Sequence, residues 1–180
     1  MGGAAPRIAP GTTREIGLVN ALIARAIGIA TRSSPPNIFT TLARHRRLFR
    51  RWLRFAAGLM PRGTLPRADT ELVILRVAHN CGCEYEWGHH ERIALRTGLT
   101  TIDVERVRDG AGAEGWTARQ SAILRAVDEL HASRTLADDS WQALRDAGLD
   151  ETELIELPML VGHYEMLAMT LNALRVEPDA

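Results

Sequence analysis

Cys83, Glu86 and His90 stand at i, i+3 and i+7, so on a helix turning about 100° per residue they fall within an arc of about 60° and share one face. Glu86 and His90 are four apart. A carboxylate at that spacing can hold an imidazole, fix its tautomer and raise its pKa, which is the arrangement of a proton shuttle near neutral pH. Cys83 is expected to open this helix, where unpaired backbone N–H groups and the helix dipole favour an anion. That position makes an acidic thiol, or instead a cradle for a substrate oxyanion. The same residues also fit a small buried cysteine beside an ordinary surface ion pair, and spacing does not separate the two readings.

Around this set, Tyr85 and His163 are candidates for substrate binding, and His89 for the pocket or an interface; the competing reading of each is a tertiary hydrogen bond. His79 shares the side of His90 only if one helix runs unbroken through Gly82. No metal site is expected. Adjacent histidines on a helix diverge by roughly 100°, which argues against His89, His90 and Glu86 as a ligand set, and the chain carries no recognisable zinc spacing.

Composition removes several classes of chemistry. The chain contains no lysine, so a Schiff-base lysine, a pyridoxal-phosphate lysine and the lysine of a phosphate-binding loop are excluded. Basic and acidic residues balance at 22 each, leaving no field of one sign to argue for nucleic acid or a membrane surface. The only cysteines, Cys81 and Cys83, flank one glycine and do not form a disulfide framework, so a reducing, cytoplasmic setting is expected. Residues 1–12 mix glycine, alanine and proline without the basic and apolar regions of a signal peptide, and are expected to be flexible. No uncharged apolar run is long enough to span a bilayer.

The elements that must hold Cys83, Glu86 and His90 follow from periodicity. Ile16, Val19, Ile23, Ala26 and Ile27 predict a helix over 13–31, with Thr13 as N-cap, stopped by Ser33, Ser34, Pro35 and Pro36. A second helix is predicted over 38–59, its stripe of Leu42, Phe49, Trp52, Leu53 and Ala56 bordered by arginines that are expected to be solvated or paired. After Pro61, Gly63 and Pro66, a helix over 68–79 buries Leu72, Val73, Leu75 and Ala78. Asn80-Cys81-Gly82 ends it, because asparagine and glycine tolerate left-handed backbone, and a new helix runs from Cys83 to Arg96. Further helices are predicted over 102–108, 117–131, 138–147 and 152–174. No segment shows the period-two alternation of a strand, so the class is all-α, in one domain over 13–180. Thr70-Glu-Leu-Val-Ile-Leu75 echoes Thr152-Glu-Leu-Ile-Glu-Leu157, which suggests two related helical halves.

The segment Glu71-Leu-Val-Ile-Leu-Arg-Val-Ala-His79, followed by Cys83-Glu-Tyr-Glu-Trp-Gly-His-His90, resembles the core motif of the carboxymuconolactone decarboxylase and alkylhydroperoxidase D-like family. Its redox members carry a glutamate, eleven residues, Cys-x-x-Cys, three residues and a histidine, and Glu71, Cys83, Glu86 and His90 occupy those positions in register. Val161-Gly-His-Tyr164 and Leu171-Asn-Ala-Leu174 are more loosely similar to the family's C-terminal helix. The resemblance implies an alkylhydroperoxidase D-like helical domain without a cofactor. It further implies a small-molecule substrate and a homo-oligomer, as a trimer, a hexamer or a dimer.

Glu86 stands where the redox members have their second cysteine, so their dithiol cannot form, and Cys81 lies on the wrong side of the motif to replace it. The resemblance then points to the decarboxylase branch, a cofactor-free lyase or isomerase acting on a lactone or keto acid. In that expectation His90 transfers the proton at carbon, Glu86 orients it, Glu71 supplies a supporting relay or hydrogen bond, and the helix start at Cys83 stabilises the oxyanion. The alternatives are a thiol-dependent peroxidase or disulfide reductase using Cys83, and a non-catalytic helical interaction module.

Overall fold

A computed structural model describes residues 5–31 and 34–179. Their regular elements are all α-helices: α1 (Thr13–Ile16), α2 (Leu18–Thr31), α3 (Asn37–Leu42), α4 (Arg46–Leu59), α5 (Arg67–Asn80), α6 (Glu84–Ala94), α7 (Thr101–Asp109), α8 (Ala118–Ser133), α9 (Asp138–Asp146) and α10 (Glu151–Leu174). None of the described helices is long and apolar enough to cross a membrane. The chain divides into two compact units, one made of Met1–Gly58 and Thr170–Ala180 and the other of Leu59–Met169, where the sequence suggests one domain.

Both N-terminal helices expected to be continuous are interrupted. Gly17, at φ 82°, takes a left-handed conformation that other residues adopt only with strain, and it separates α1 from α2. Thr12, one residue before the expected cap, opens α1: its backbone N–H donates to Glu15 Oε2 at 2.8 Å, half of a reciprocal capping arrangement. A turn at residues 43–45 divides the second predicted helix into α3 and α4. Ser33, one of the expected stop residues, lies outside the described residues.

In the first unit, Phe49 is fully buried with Ile16 and Ala43, and its ring lies 5.9 Å from Trp52 and 6.4 Å from Phe39 between centroids. Arg44 pairs with Glu15 at 2.9 Å, and Arg46 donates to the carbonyls of Arg14 and Glu15. Arg47, Arg50, Arg51 and Arg54 of α4 are exposed. Of residues 1–12, the first four lie outside the described ones. Further along, Arg7 N–H donates to Leu174 O at 2.9 Å and Gly11 N–H to Thr40 O at 3.1 Å.

In the second unit α5 is the central helix. It lies against α6, α7 and α8, and Leu72, Val73, Ile74, Leu75 and Val77 are wholly buried, each contributing about 1.5–3 kcal/mol of apolar burial. Being covered on most sides, α5 exposes little surface, and its buried polar side chains Asp69, Thr70 and Glu71 face other protein groups. Arg76 fixes it laterally with a fork onto Asp128 of α8 at 2.6 and 3.0 Å, and with a bond to Val107 O at 2.8 Å. Asn80 donates to the same Asp128 at 2.8 Å.

The interruption after α5 falls where the sequence places it. Asn80 is the last helical residue, Cys81 caps the helix, Gly82 sits at φ 57°, and Cys83 is the N-cap of α6. Asp150 opens α10 by a reciprocal pair with Glu153, Glu153 N–H donating to Asp150 Oδ1 at 2.8 Å and Asp150 N–H to Glu153 Oε2 at 3.0 Å. Arg119 ties α5 to that first turn, with Nε 2.7 Å from Asp69 Oδ2 and Nη2 bonded to Glu153 Oε1.

Candidate active site

Three helices of the second unit carry the candidate residues: Arg67 and Glu71 on α5, Tyr85, Glu86, His89 and His90 on α6 behind Cys83, and His163 and Tyr164 on α10. Glu71 is 0 % exposed, Cys83 1 %, Glu86 2 % and His90 4 %. The surface-ion-pair reading of Glu86 and His90 is thereby excluded.

Glu71 holds His90. Its Oε2 lies 2.8 Å from His90 Nδ1, and its other oxygen accepts from Arg67 Nη2 at 2.8 Å. A carboxylate only accepts, so Nδ1 carries the ring proton and Nε2 becomes the basic nitrogen. No hydrogen bond engages Nε2 among the described residues. Burial lowers the His90 pKa, and this outweighs the opposing pull of Glu71, so at neutral pH the imidazole is uncharged and able to accept a proton.

The role expected for Glu86 is therefore filled by Glu71. The i, i+4 spacing put Glu86 within reach of His90 along α6, but the shorter path to Nδ1 comes from across the α5–α6 contact. Both Glu86 carboxyl oxygens are buried without a nitrogen or oxygen donor among the described residues, and the Cys83 thiol is the polar group that acts on them. Burial pushes Glu86 up to about 8, so near pH 7 it is mostly a neutral acid with a proton to give.

Cys83 also departs from expectation. It is the N-cap of α6, as the anion argument requires, yet burial, followed by the neighbouring Glu86, raises its thiol to about 12. Desolvation outweighs the helix start, and the thiol stays protonated.

Tyr85 is buried, with its ring stacked parallel to His89 at 6.5 Å, and the His89 ring is in turn 5.3 Å from that of His90. The His163 ring lies 5.2 Å from that of Tyr164, and burial lowers His163 to about 4, so it is uncharged. His79 sits on the far side of the helix break, edge-on to Trp87 at 6.3 Å.

Sequence reasoning missed two residues. Tyr164, beside the named His163, places its ring perpendicular to His90 at 5.2 Å, within the influence of both Glu71 and Glu86. Arg67 precedes Glu71 by four residues, a helix-pair signal present in the sequence. Its Nη1 is buried with no partner among the described residues, and its charge is felt at His90. A shallow hollow lined by Thr101, Ile102, Glu105, Arg106, Asp109 and neighbours includes none of these groups.

Residues 46–129 match the model of the Carboxymuconolactone decarboxylase family. Over this segment the chain is similar to that family. The matched stretch contains Arg67, Glu71, Cys83, Glu86 and His90, while Tyr164 lies outside it. No curated protein shows significant sequence similarity to the chain.

Among solved structures, an uncharacterized peroxidase-related protein with an alkylhydroperoxidase AhpD core from Ralstonia eutropha JMP134 is 19 % identical. Its TM-score is 0.84, over 98 % of this chain and 94 % of that one. A peroxidase-related protein from Silicibacter sp. TM1040 is 15 % identical with TM-score 0.85, over 99 % and 96 %. The debrominase Bmp8 is 15 % identical with TM-score 0.77, over 96 % and 92 %. At these identities the neighbours establish the fold, all-α and AhpD-like.

Proposed function

We propose that the protein is a cofactor-free lyase or isomerase that moves a proton at a carbon next to a carbonyl, in a lactone or keto acid bearing a carboxylate. The observation that carries this reading is the Glu71–His90 bond, 2.8 Å long, which leaves a neutral imidazole with an uncommitted Nε2 on the helix that also carries the protonated Glu86, four residues earlier. In isomerisation, Nε2 takes the proton from carbon, the electron pair moves into the carbonyl as an enolate, and Glu86 returns a proton to another carbon. In decarboxylation, the carbon–carbon bond to the carboxylate breaks, carbon dioxide leaves, the pair is held as the enolate, and Glu86 protonates the carbon. Relative to the sequence expectation, His90 becomes the base, Glu71 its positioning group and Glu86 the acid.

A carboxylated substrate is supported by Arg67. Its buried Nη1 has no acceptor among the described residues, and a buried guanidinium N–H without a partner is costly unless a ligand supplies one. Glu86, without a nitrogen or oxygen donor among the described residues, suits a substrate carbon that receives its proton. The reading includes a homo-oligomer, supported by the exposed Ile155, Met159 and Met169 on α10, an apolar set that another copy can cover; sedimentation of the purified protein tests this.

The thiol-dependent peroxidase is the second reading, favoured by the contact of Cys83 with Glu86 and by similarity in fold to peroxidase-related proteins. A screen of carboxylated lactones and keto acids, following carbon dioxide release and uptake of solvent deuterium, separates the two. Turnover of a lactone or keto acid supports proton transfer. Peroxide turnover that vanishes in Cys83→Ala overturns it, and inertness in both assays leaves the helical interaction module.

A further inference from the structure

Cys81 lies outside the proton-transfer site, at the C-cap of α5, and two distant residues converge on it. His131, in the last turn of α8, places Nδ1 4.0 Å from Cys81 Sγ. The same Nδ1 is 2.7 Å from Glu165 Oε1 on α10. One ligand atom from each residue lies within 4.8 Å of the other two, and all three side chains are half-buried. We propose that Cys81, His131 and Glu165 form a binding site for a single divalent cation of the zinc class, held by thiolate, imidazole and carboxylate with one position open to water.

The geometry distinguishes this from a nucleophile relay. A Cys–His–carboxylate relay uses the two ring nitrogens separately, one facing the thiol and the other the acid. Here one nitrogen faces both, so the three ligand atoms surround a common point, as an ion requires. Around a tetrahedral centre with bonds of about 2.0–2.3 Å, neighbouring ligand atoms are roughly 3.3–3.7 Å apart. The Cys81–His131 separation needs to close by a few tenths of an ångström, and the His131–Glu165 contact to open by a little more.

Arg134 already fixes the Glu165 carboxylate, with Nη1 2.8 and 2.7 Å from its two oxygens. Its side chain is 67 % exposed, so it can stay as an outer partner of the carboxylate or swing into solvent. With the thiol ionised, thiolate and carboxylate together exceed the charge of Arg134, and a dication meets a site of net negative charge. Binding forms Sγ–metal, Nδ1–metal and Oε1–metal bonds and releases the thiol proton to solvent, without oxidation or reduction.

Ligands drawn from three helices, 50 residues apart from Cys81 to His131 and 34 from His131 to Glu165, leave no spacing motif in the sequence. A metal there ties the junction that begins α6 to α8 and α10, and so steadies the helix that carries Glu86 and His90.

Cobalt(II) titration of the full-length protein under reducing conditions tests the site, since a thiolate ligand gives a near-ultraviolet charge-transfer band. The expected result is one equivalent bound with that band, displacement by zinc, loss of the band in Cys81→Ser, weaker binding in His131→Ala and Glu165→Gln, and retention in Cys83→Ser. Circular dichroism checks that each variant is folded. Zinc should raise the melting temperature of the wild type and of Cys83→Ser but not of Cys81→Ser. No band in the wild type, a band surviving in Cys81→Ser, or one lost in Cys83→Ser overturns the proposal.

Discussion

His90 Nδ1 and Glu71 Oε2 are 2.8 Å apart across 19 positions of sequence, with both side chains buried. A buried imidazole held by a carboxylate that is itself held by Arg67 is an oriented base. The contact joins two helices, so its strength shows in folding as well as in turnover.

Truncating Glu71 strands two partners. Glu71→Ala leaves Arg67 and the His90 ring N–H without their acceptor, and about 3 kcal/mol of stability should be lost. Urea denaturation of the variant against wild type measures this, and a loss within error of zero would contradict the buried pairing.

Turnover should depend most on His90. Once a substrate is found, His90→Ala should reduce proton exchange or isomerisation by about 10²–10⁴-fold, and Cys83→Ala should have a much smaller effect. Equal losses in the two variants would remove His90 from its role as base.

Titration of Glu86 sets a pH signature. Burial raises its pKa from 4.5 to about 8, so the folded protein retains a proton that the unfolded chain releases between those values. This stabilisation is complete below pH 4.5 and is lost as pH rises through about 8. Glu86→Gln does not titrate, so its stability relative to wild type should improve with pH across that window, by up to about 1.4 kcal/mol per unit. Parallel stability profiles from about pH 5 to 8.5 would rule this out. In activity, the alkaline limb should follow Glu86 near pH 8, and the acid limb should lie below 6.5, because burial lowers His90.

The Tyr164 ring matters more to the fold than its hydroxyl. Tyr164→Phe keeps the ring against His90 and loses only a 3.8 Å contact to Met60 Sδ, so less than about 1 kcal/mol should change. Tyr164→Ala should cost about 3–5 kcal/mol. Thermal denaturation of both variants distinguishes the two contributions.

Gly63 is a packing glycine. A Cβ there would overlap the Glu156 carboxylate and the Leu59 carbonyl, and Glu156 is the acceptor for Thr64 N–H and Oγ1, both at 2.6 Å. Gly63→Ala should therefore destabilise by about 2 kcal/mol, read from its denaturation midpoint.

Most of the helical layout was legible because apolar spacing reports burial directly, and Asn80-Cys81-Gly82 because few residues adopt a left-handed turn. The breaks at Gly17 and at residues 43–45 were not, since the apolar stripe continues across each and hides the local backbone. In the site, the motif positions located Glu71, Cys83, Glu86 and His90, but their roles depended on two quantities that linear spacing omits. One is which carboxylate reaches the ring from a neighbouring helix, and this gave the imidazole to Glu71. The other is depth, which turned Cys83 from a thiolate candidate into a buried thiol and Glu86 from an ion into an acid. Arg67 and Tyr164 emerged only when α5, α6 and α10 were seen together.

Gly82, at φ 57°, also works as a phase-setter between two rotors. Each helical residue advances the side-chain direction by about 100°, so lengthening the junction by one residue can leave α5 and α6 individually intact while turning His90 away from Glu71. The eleven residues between Glu71 and Cys83 therefore encode an angle as much as a distance.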